Sequence, residues 1–186
     1  MEADDKKLFY KYLDNASKYL EFGSGGSTFQ AAIRPNITQI ISVESDIGWI
    51  NKIKANLQAD TQIDFRYIDL KPVPNTWGYP GPFCTTEDKI QYSNVICNID
   101  TADKIDLILI DGRFRVACCL KCFNKISDEC VIAFDDFLDR PNYHIVLDYY
   151  EIIEKTGNKS LVILKKKDGI LGPDEELIKK YELIPE

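Results

Sequence analysis

Apolar positions along the chain fall into short continuous runs that alternate with stretches of helical spacing. Leu8, Phe9, Tyr12, Leu13 and Ala16 share one helical face and predict an amphipathic helix over residues 5–17. Lys18 to Phe22 reads as a strand stopped by Gly23-Ser24-Gly25-Gly26, and Ser27 to Ile33 as a short helix ended by Pro35. Thr38 to Val43 predicts a second strand. Asp46 to Leu57 predicts a helix with Ile47, Ile50, Ile53 and Leu57 turned inward. After a third strand, Ile63 to Ile68, residues 69–86 hold Pro72, Pro74, Pro80, Pro82, Gly78 and Gly81, which exclude regular structure.

Glu87 to Ile99 predicts a helix. Ile105 to Ile110 is apolar except for Asp106, the pattern of a central parallel strand covered on both faces. A helix over Arg113 to Phe123, a strand over Cys130 to Phe134 and a helix over Asn142 to Tyr149 follow. Tyr150 to Lys155 and Lys159 to Lys165 then read as a hairpin about Thr156-Gly157-Asn158, and Pro173 opens a short helix to Tyr181. This alternation predicts an α/β fold: a mostly parallel sheet with helices on both faces and an antiparallel strand at one edge. The expected organisation is a single domain over residues 1–186, with an N-terminal helix, a core over 18–167 and a tail over 168–186.

Composition narrows the function classes. At 45% hydrophobic residues the chain is not disordered, and no apolar run approaches the ~18 residues of a membrane helix. Met1-Glu2-Ala3-Asp4-Asp5-Lys6-Lys7 lacks the apolar stretch of a signal peptide. Lys and Arg number 23 against 30 Asp and Glu, a net charge of -7, which argues against a nucleic-acid partner. Cys118, Cys119, Cys122 and Cys130 crowd together without the spacing of a zinc ribbon, and His144 is the single histidine. They read as reduced core residues, with redox or metal roles as the alternative. The expected location is a reducing, cytoplasmic compartment.

Candidate chemistry gathers at strand ends, where open α/β sheets bind ligands. The glycine turn after the first strand fits neither the dinucleotide pattern, since Thr28 stands at its sixth position, nor the phosphate-loop pattern. Glu44 follows the second strand, twenty-one residues after Gly23, where a carboxylate accepts the hydroxyls of a ribose; capping a helix is its alternative role. Asp69 follows the third strand, placed for an adenine amino group or as a loop cap. Glu21, Glu44 and Asp69 thus end or nearly end three consecutive strands, and no Lys or Arg accompanies the glycine turn, as for a ligand without phosphates.

Asp111 ends the central strand in Leu109-Ile110-Asp111-Gly112-Arg113, and Asp135-Asp136 ends the next. Parallel neighbours lie about 4.8 Å apart, so these carboxylates are placed to converge on one Mg²⁺ or Mn²⁺; helix capping is the alternative. His144, Asp111 and Asp136 are candidate general bases. Arg113 and Arg115 at the next helix start call for negative partners: the aspartates, a substrate phosphate or both. Trp77 and Tyr79 sit in the long loop on the ligand side, as a substrate wall or as anchors of the loop.

These residues resemble the class I S-adenosylmethionine-dependent methyltransferases. Tyr19-Leu20-Glu21-Phe22-Gly23-Ser24-Gly25-Gly26-Ser27 is similar to their first motif, Ile41-Ser42-Val43-Glu44 to their second, and Ile108-Leu109-Ile110-Asp111-Gly112 to their fourth. The resemblance spans roughly Lys18 to Lys167 and implies a Rossmann-like, seven-stranded sheet with an antiparallel C-terminal hairpin. It implies that Gly23, Ser24 and Gly25 face the methionine portion of the cofactor, Glu44 the ribose and Asp69 the adenine end, with Glu21, Ser27 and Asp111 as further cofactor contacts. Trp49 stands either beside the nucleoside or in the core.

The aspartates are similar to those of metal-dependent O-methyltransferases, most of all the sugar-modifying, macrocin-type group. The chain departs from the catechol-type pattern, with Asp111-Gly112-Arg113-Phe114-Arg115 in place of Asp-Ala-Asp-Lys. The implied activity is methylation of a hydroxyl on a small-molecule or glycan acceptor, with Asp111, Asp135 and Asp136 holding the ion and Trp77, Tyr79, Arg113 and Arg115 facing the acceptor. The alternatives are a metal-independent methyltransferase and a non-catalytic binding module of the same fold.

Overall fold

Seven strands form one sheet in the order β3-β2-β1-β4-β5-β7-β6. The computed structural model describes residues 1–58, 61–157 and 160–186. The strands are β1 (Lys18–Phe22), β2 (Gln39–Glu44), β3 (Asp64–Tyr67), β4 (Leu107–Ile110), β5 (Val131–Phe134), β6 (Tyr150–Lys155) and β7 (Val162–Lys166). The helices are α1 (Ala3–Leu13), α2 (Gly26–Ala32), α3 (Ile47–Asn56), α4 (Thr86–Asn94), α5 (Arg115–Cys122) and α6 (Glu175–Tyr181). β1 to β5 run parallel, and β7 pairs antiparallel with both β5 and β6. The antiparallel strand therefore lies one place inside the edge, and β6 is the edge strand. Asn158 and Lys159, where the expected hairpin turn ends and its second strand begins, lie outside the described residues.

Period-two alternation sorts the strand residues onto two faces. Leu20, Phe22, Ile108, Ile110, Ile132 and Phe134 pack with α5 and with Tyr92 of α4. Tyr19, Leu107, Leu109, Ala133 and Ile163 pack with Leu8, Phe9 and Leu13 of α1 and Ala31 of α2. β4 is buried throughout, because both faces are covered. The buried thiols of Cys118, Cys119 and Cys122 sit within the first layer, where desolvation pushes all three upward. None of the six cysteines is in a disulfide. Among the described residues no helix is long and apolar enough to cross a membrane.

Several boundaries differ from the sequence expectation for local reasons. α1 stops at Leu13, leaving Ala16 buried in the following turn. Ile47 is exposed at the start of α3, while Ile50 and Ile53 are the buried pair. The helix expected over 87–99 ends as a 3₁₀ turn at Val95–Asn98, and that expected over 142–149 is a 3₁₀ segment, Pro141–Asp148. α5 begins at Arg115, because Phe114 takes a left-handed φ of 51°. Arg113 therefore belongs to the turn after β4 and not to the helix.

The candidate active site

The order of strands reverses between β1 and β4, and a cavity of about 1070 Å³ opens there beyond their carboxyl ends. The turn after β1 is held from below by Glu21. This carboxylate is fully buried and accepts from Tyr19 OH at 2.9 Å, Ser27 Oγ at 2.6 Å, Ser42 Oγ at 2.6 Å and the Thr28 hydroxyl. Thr28 Oγ1 in turn accepts from the Gly25 N–H at 2.8 Å. Burial raises the Glu21 pKa and the hydroxyls oppose the rise. Glu21 thus shapes the glycine turn and does not line the cavity, whereas Gly23, Ser24, Gly25 and Ser27 do.

Gly23 has a φ of +98°, and a Cβ there would lie 2.8 Å from the Gly112 Cα, so only glycine lets the turns after β1 and β4 meet. A Cβ on Gly25 or Gly26 would meet nothing within 4 Å, which leaves an open cradle over the turn. Glu44 forms the next wall. Its Oε1 accepts from the Ser45 and Asp46 amides at 2.6 and 3.0 Å, and among the described residues its Oε2 accepts only from the Ser24 N–H at 3.1 Å. Burial raises the Glu44 pKa against these amides. Oε2 thus has capacity for a second donor on a residue that lines the cavity, as a ribose hydroxyl requires. Trp49 is half-buried on the same wall, its indole N–H donating to the Ser24 carbonyl at 2.8 Å. Asp69 is turned onto Lys71 at 2.7 Å, which lowers its pKa, and it does not reach the cavity.

At the ends of β4 and β5 the carboxylates converge on a guanidinium. Arg115 is only 5% exposed; it lies 3.2 Å from Asp111 Oδ1 and 3.2 Å from Asp136 Oδ2. It also donates to the Gly112, Asp135 and Asp111 carbonyls at 3.0, 2.9 and 3.3 Å. Arg140 holds Asp136 from the other side at 2.9 Å. Asp135 is engaged with other partners: its Oδ1 accepts from Ser160 Oγ at 3.0 Å and its Oδ2 lies 3.5 Å from the Met1 ammonium. A divalent ion needs several oxygens with free lone pairs facing one point. Here a resident cation fills the space between Asp111 and Asp136, and Asp135 is held by other partners. These residues do not fit Mg²⁺ or Mn²⁺, and among the described residues no three His, Cys, Asp or Glu side chains gather to hold an ion.

Of the three aspartates, only Asp111 lines the cavity. Burial pushes its pKa up to about 7, with Arg115 opposing and Asp135 adding to the rise. His144 lies off the cavity with its ring 5.3 Å from that of Phe137. Trp77 is 83% exposed on the rim with a φ of 55°, and its carbonyl accepts from Arg113 at 3.1 Å. Tyr79 does not line the cavity; its ring lies 5.7 Å beneath the Arg113 guanidinium. Arg113 and Arg115 both do line it.

No protein-family profile and no curated protein matches the chain. Among solved structures, a methyltransferase-like protein from Silicibacter pomeroyi superposes with a TM-score of 0.85 at 25% identity, covering 100% of this chain and 96% of that one. The N-methyltransferase NodS from Bradyrhizobium japonicum, in complex with S-adenosylhomocysteine, gives 0.57 at 12% identity over 88% and 86% of the two chains. A putative methyltransferase from Streptococcus mutans, also bound to S-adenosylhomocysteine, gives 0.58 at 8% identity over 90% and 100%. The fold is the Rossmann-like methyltransferase fold.

Within that fold, sequence patterns had not pointed to α1 as part of the site. Lys6 and Tyr10 line the cavity, joined by Gln30 of α2. Their amphipathic spacing signalled packing, and nothing local tells which polar residues of a helix face a ligand. Tyr92 was equally silent: it reaches the site from α4 and accepts from the Arg113 N–H at 3.4 Å.

Proposed function

We propose that this protein is an S-adenosylmethionine-dependent methyltransferase that methylates a hydroxyl of a small acceptor without a divalent ion. One observation carries the reading: the glycine turn and the carboxylates of Glu44 and Asp111 open onto one cavity at the reversal of the sheet. Its volume exceeds the ~300–1,000 Å³ of common ligand pockets, enough for a nucleoside and an acceptor together. The fold and the S-adenosylhomocysteine held by two of its structural neighbours support the same reading.

Glu44 would receive the ribose hydroxyls, the backbone of Gly23 to Gly25 the methionine portion, and the Trp49 ring would flank the nucleoside. S-adenosylmethionine supplies an electrophilic methyl group whose C–S bond breaks, with its electron pair staying on sulfur, as the acceptor oxygen attacks. The protein contributes alignment of the two reactants, which accounts for much of the barrier reduction in an in-line displacement. Asp111 takes the hydroxyl proton; its raised pKa matches a base that works near neutral pH. Asp136 is held between two arginines and His144 lies off the cavity, so neither serves.

Calorimetric titration with S-adenosylhomocysteine tests this directly. The expected result is one site with a Kd of about 1–100 μM, or roughly 5.5–8 kcal/mol, unchanged by Mg²⁺ or Mn²⁺. Absence of binding would remove the methyltransferase reading. Binding that requires the metal would restore the metal-assisted one.

A further inference from the structure

Four cationic side chains line the cavity of a chain whose net charge is -7, Lys6, Lys52, Arg113 and Arg115, beside the Met1 ammonium, which is paired with Asp135 at 3.5 Å. Their arrangement is uneven. Arg115 is matched by Asp111 and Asp136, so it offers the cavity no free charge. Lys6 of α1, also on the cavity lining, is exposed and has no ion pair among the described residues.

Arg113 is the more telling group. Its Nε is buried and has no hydrogen-bond partner among the described residues, which is costly for a charged donor. Its two terminal nitrogens donate to the main-chain oxygens of Glu186 and Trp77 at 2.6 and 3.1 Å, and its plane rests on the Tyr79 ring. Those contacts use two of the guanidinium's five N–H donors and fix its plane on the cavity wall, with terminal N–H groups left over for a ligand. An arginine so braced binds an anion with little further loss of side-chain freedom. Asp111, the cavity-wall carboxylate that follows β4, is paired with Arg115 and therefore repels an incoming anion weakly.

We propose that the acceptor carries an anionic group, a carboxylate or a phosphate, received by Arg113 with Lys6 adding long-range attraction. This deepens the methyltransferase reading and rests on it: the anion holds the acceptor so that its hydroxyl meets Asp111. A neutral sugar offers Arg113 only weak hydroxyl acceptors, whereas a carboxylate or phosphate makes charge-assisted bonds about twice as strong.

The experiment uses the protein saturated with S-adenosylhomocysteine and two matched pairs of probes: 4-hydroxybenzoate against 4-hydroxybenzamide, and glucose 6-phosphate against glucose. The charged member of at least one pair should bind tenfold or more tightly than its neutral partner, and the pair that responds tells carboxylate from phosphate. Arg113→Gln should abolish that preference while leaving S-adenosylhomocysteine affinity within about twofold. Lys6→Gln, at an exposed position that cannot unfold the chain, should weaken the charged probe two- to fivefold, more at low salt than at high. Equal binding of charged and neutral probes, or no binding of either charged probe at 10 mM, would overturn the proposal. So would a tenfold loss of S-adenosylhomocysteine affinity in Arg113→Gln, which would give the arginine to the cofactor's own carboxylate. Failure of the unmodified protein to bind S-adenosylhomocysteine would instead strike at the methyltransferase reading.

Discussion

The ends of β1 and β2 and the ends of β4 and β5 both carry clustered acids, and they satisfy them in opposite ways. Glu21 and Glu44 are surrounded by hydroxyls and backbone amides, all neutral donors. Asp111 and Asp136 face Arg115. Neutral donors stabilise a carboxylate without cancelling its charge, so Glu44 keeps its attraction for ligand hydroxyls. A guanidinium between two carboxylates cancels most of theirs and occupies the point where an ion would sit. One cavity thus has a negative, hydrogen-bond-accepting wall at β2 and a wall with balanced or surplus positive charge at β4.

The sharpest way to separate the two walls is Asp111→Asn. Turnover of a competent acceptor should fall by about 10²–10⁴-fold, while S-adenosylhomocysteine affinity changes far less. In the unmodified protein the base must be ionised. Since burial raises its pKa to about 7, kcat/KM should be low at pH 5–6, rise through neutrality and level off above about pH 8. A flat profile would take the base role from Asp111.

Arg115→Met should come next in size. It leaves Asp111 and Asp136 facing each other with one cation fewer. Because both carboxylates are about one-third exposed, at 35% and 39%, the loss in urea unfolding should be about 2–4 kcal/mol, below the ~3–5 kcal/mol of a fully buried pair. The same variant should bind Mn²⁺ more tightly than the unmodified protein, read by electron paramagnetic resonance, and its pH midpoint should move upward as the opposing charge is lost.

Glu44→Gln acts on the other wall. It exchanges a charge-assisted acceptor for a weaker one and should cost about tenfold to 100-fold in S-adenosylhomocysteine affinity, and about 1–3 kcal/mol of stability because the new NH₂ faces a backbone N–H. The smallest effect belongs to Glu21→Gln. Its site is closed to ligand, so the expected loss is about 1–2 kcal/mol of stability with cofactor affinity nearly unchanged. If Glu21→Gln weakened the cofactor as much as Glu44→Gln, the division between a supporting and a contacting carboxylate would collapse.

Strand alternation and the glycine turn were legible in the chain because they are local. The run Leu107-Ile108-Leu109-Ile110 needs cover on both faces wherever it lies, and the break at Gly23 is written in the residue type. The motif acids were equally visible as residues at strand ends. Their partners were not. Arg115 reaches Asp136 across twenty-one positions, and Lys6 meets the cavity from the other end of the first helix.

What the sequence alone determined, then, is the order of elements, the sheet class and the positions where chemistry can stand. Tertiary structure decided which of those positions share one space: Glu44, Trp49 and Asp111 in the cavity, Glu21 beneath it, Asp69, Asp135 and His144 away from it. It also decided that the aspartates meet a guanidinium. The physical reason is range. Propensity and periodicity act over a few residues, whereas a carboxylate's charge and hydrogen bonds are settled by whichever distant group the fold brings within about 3 Å.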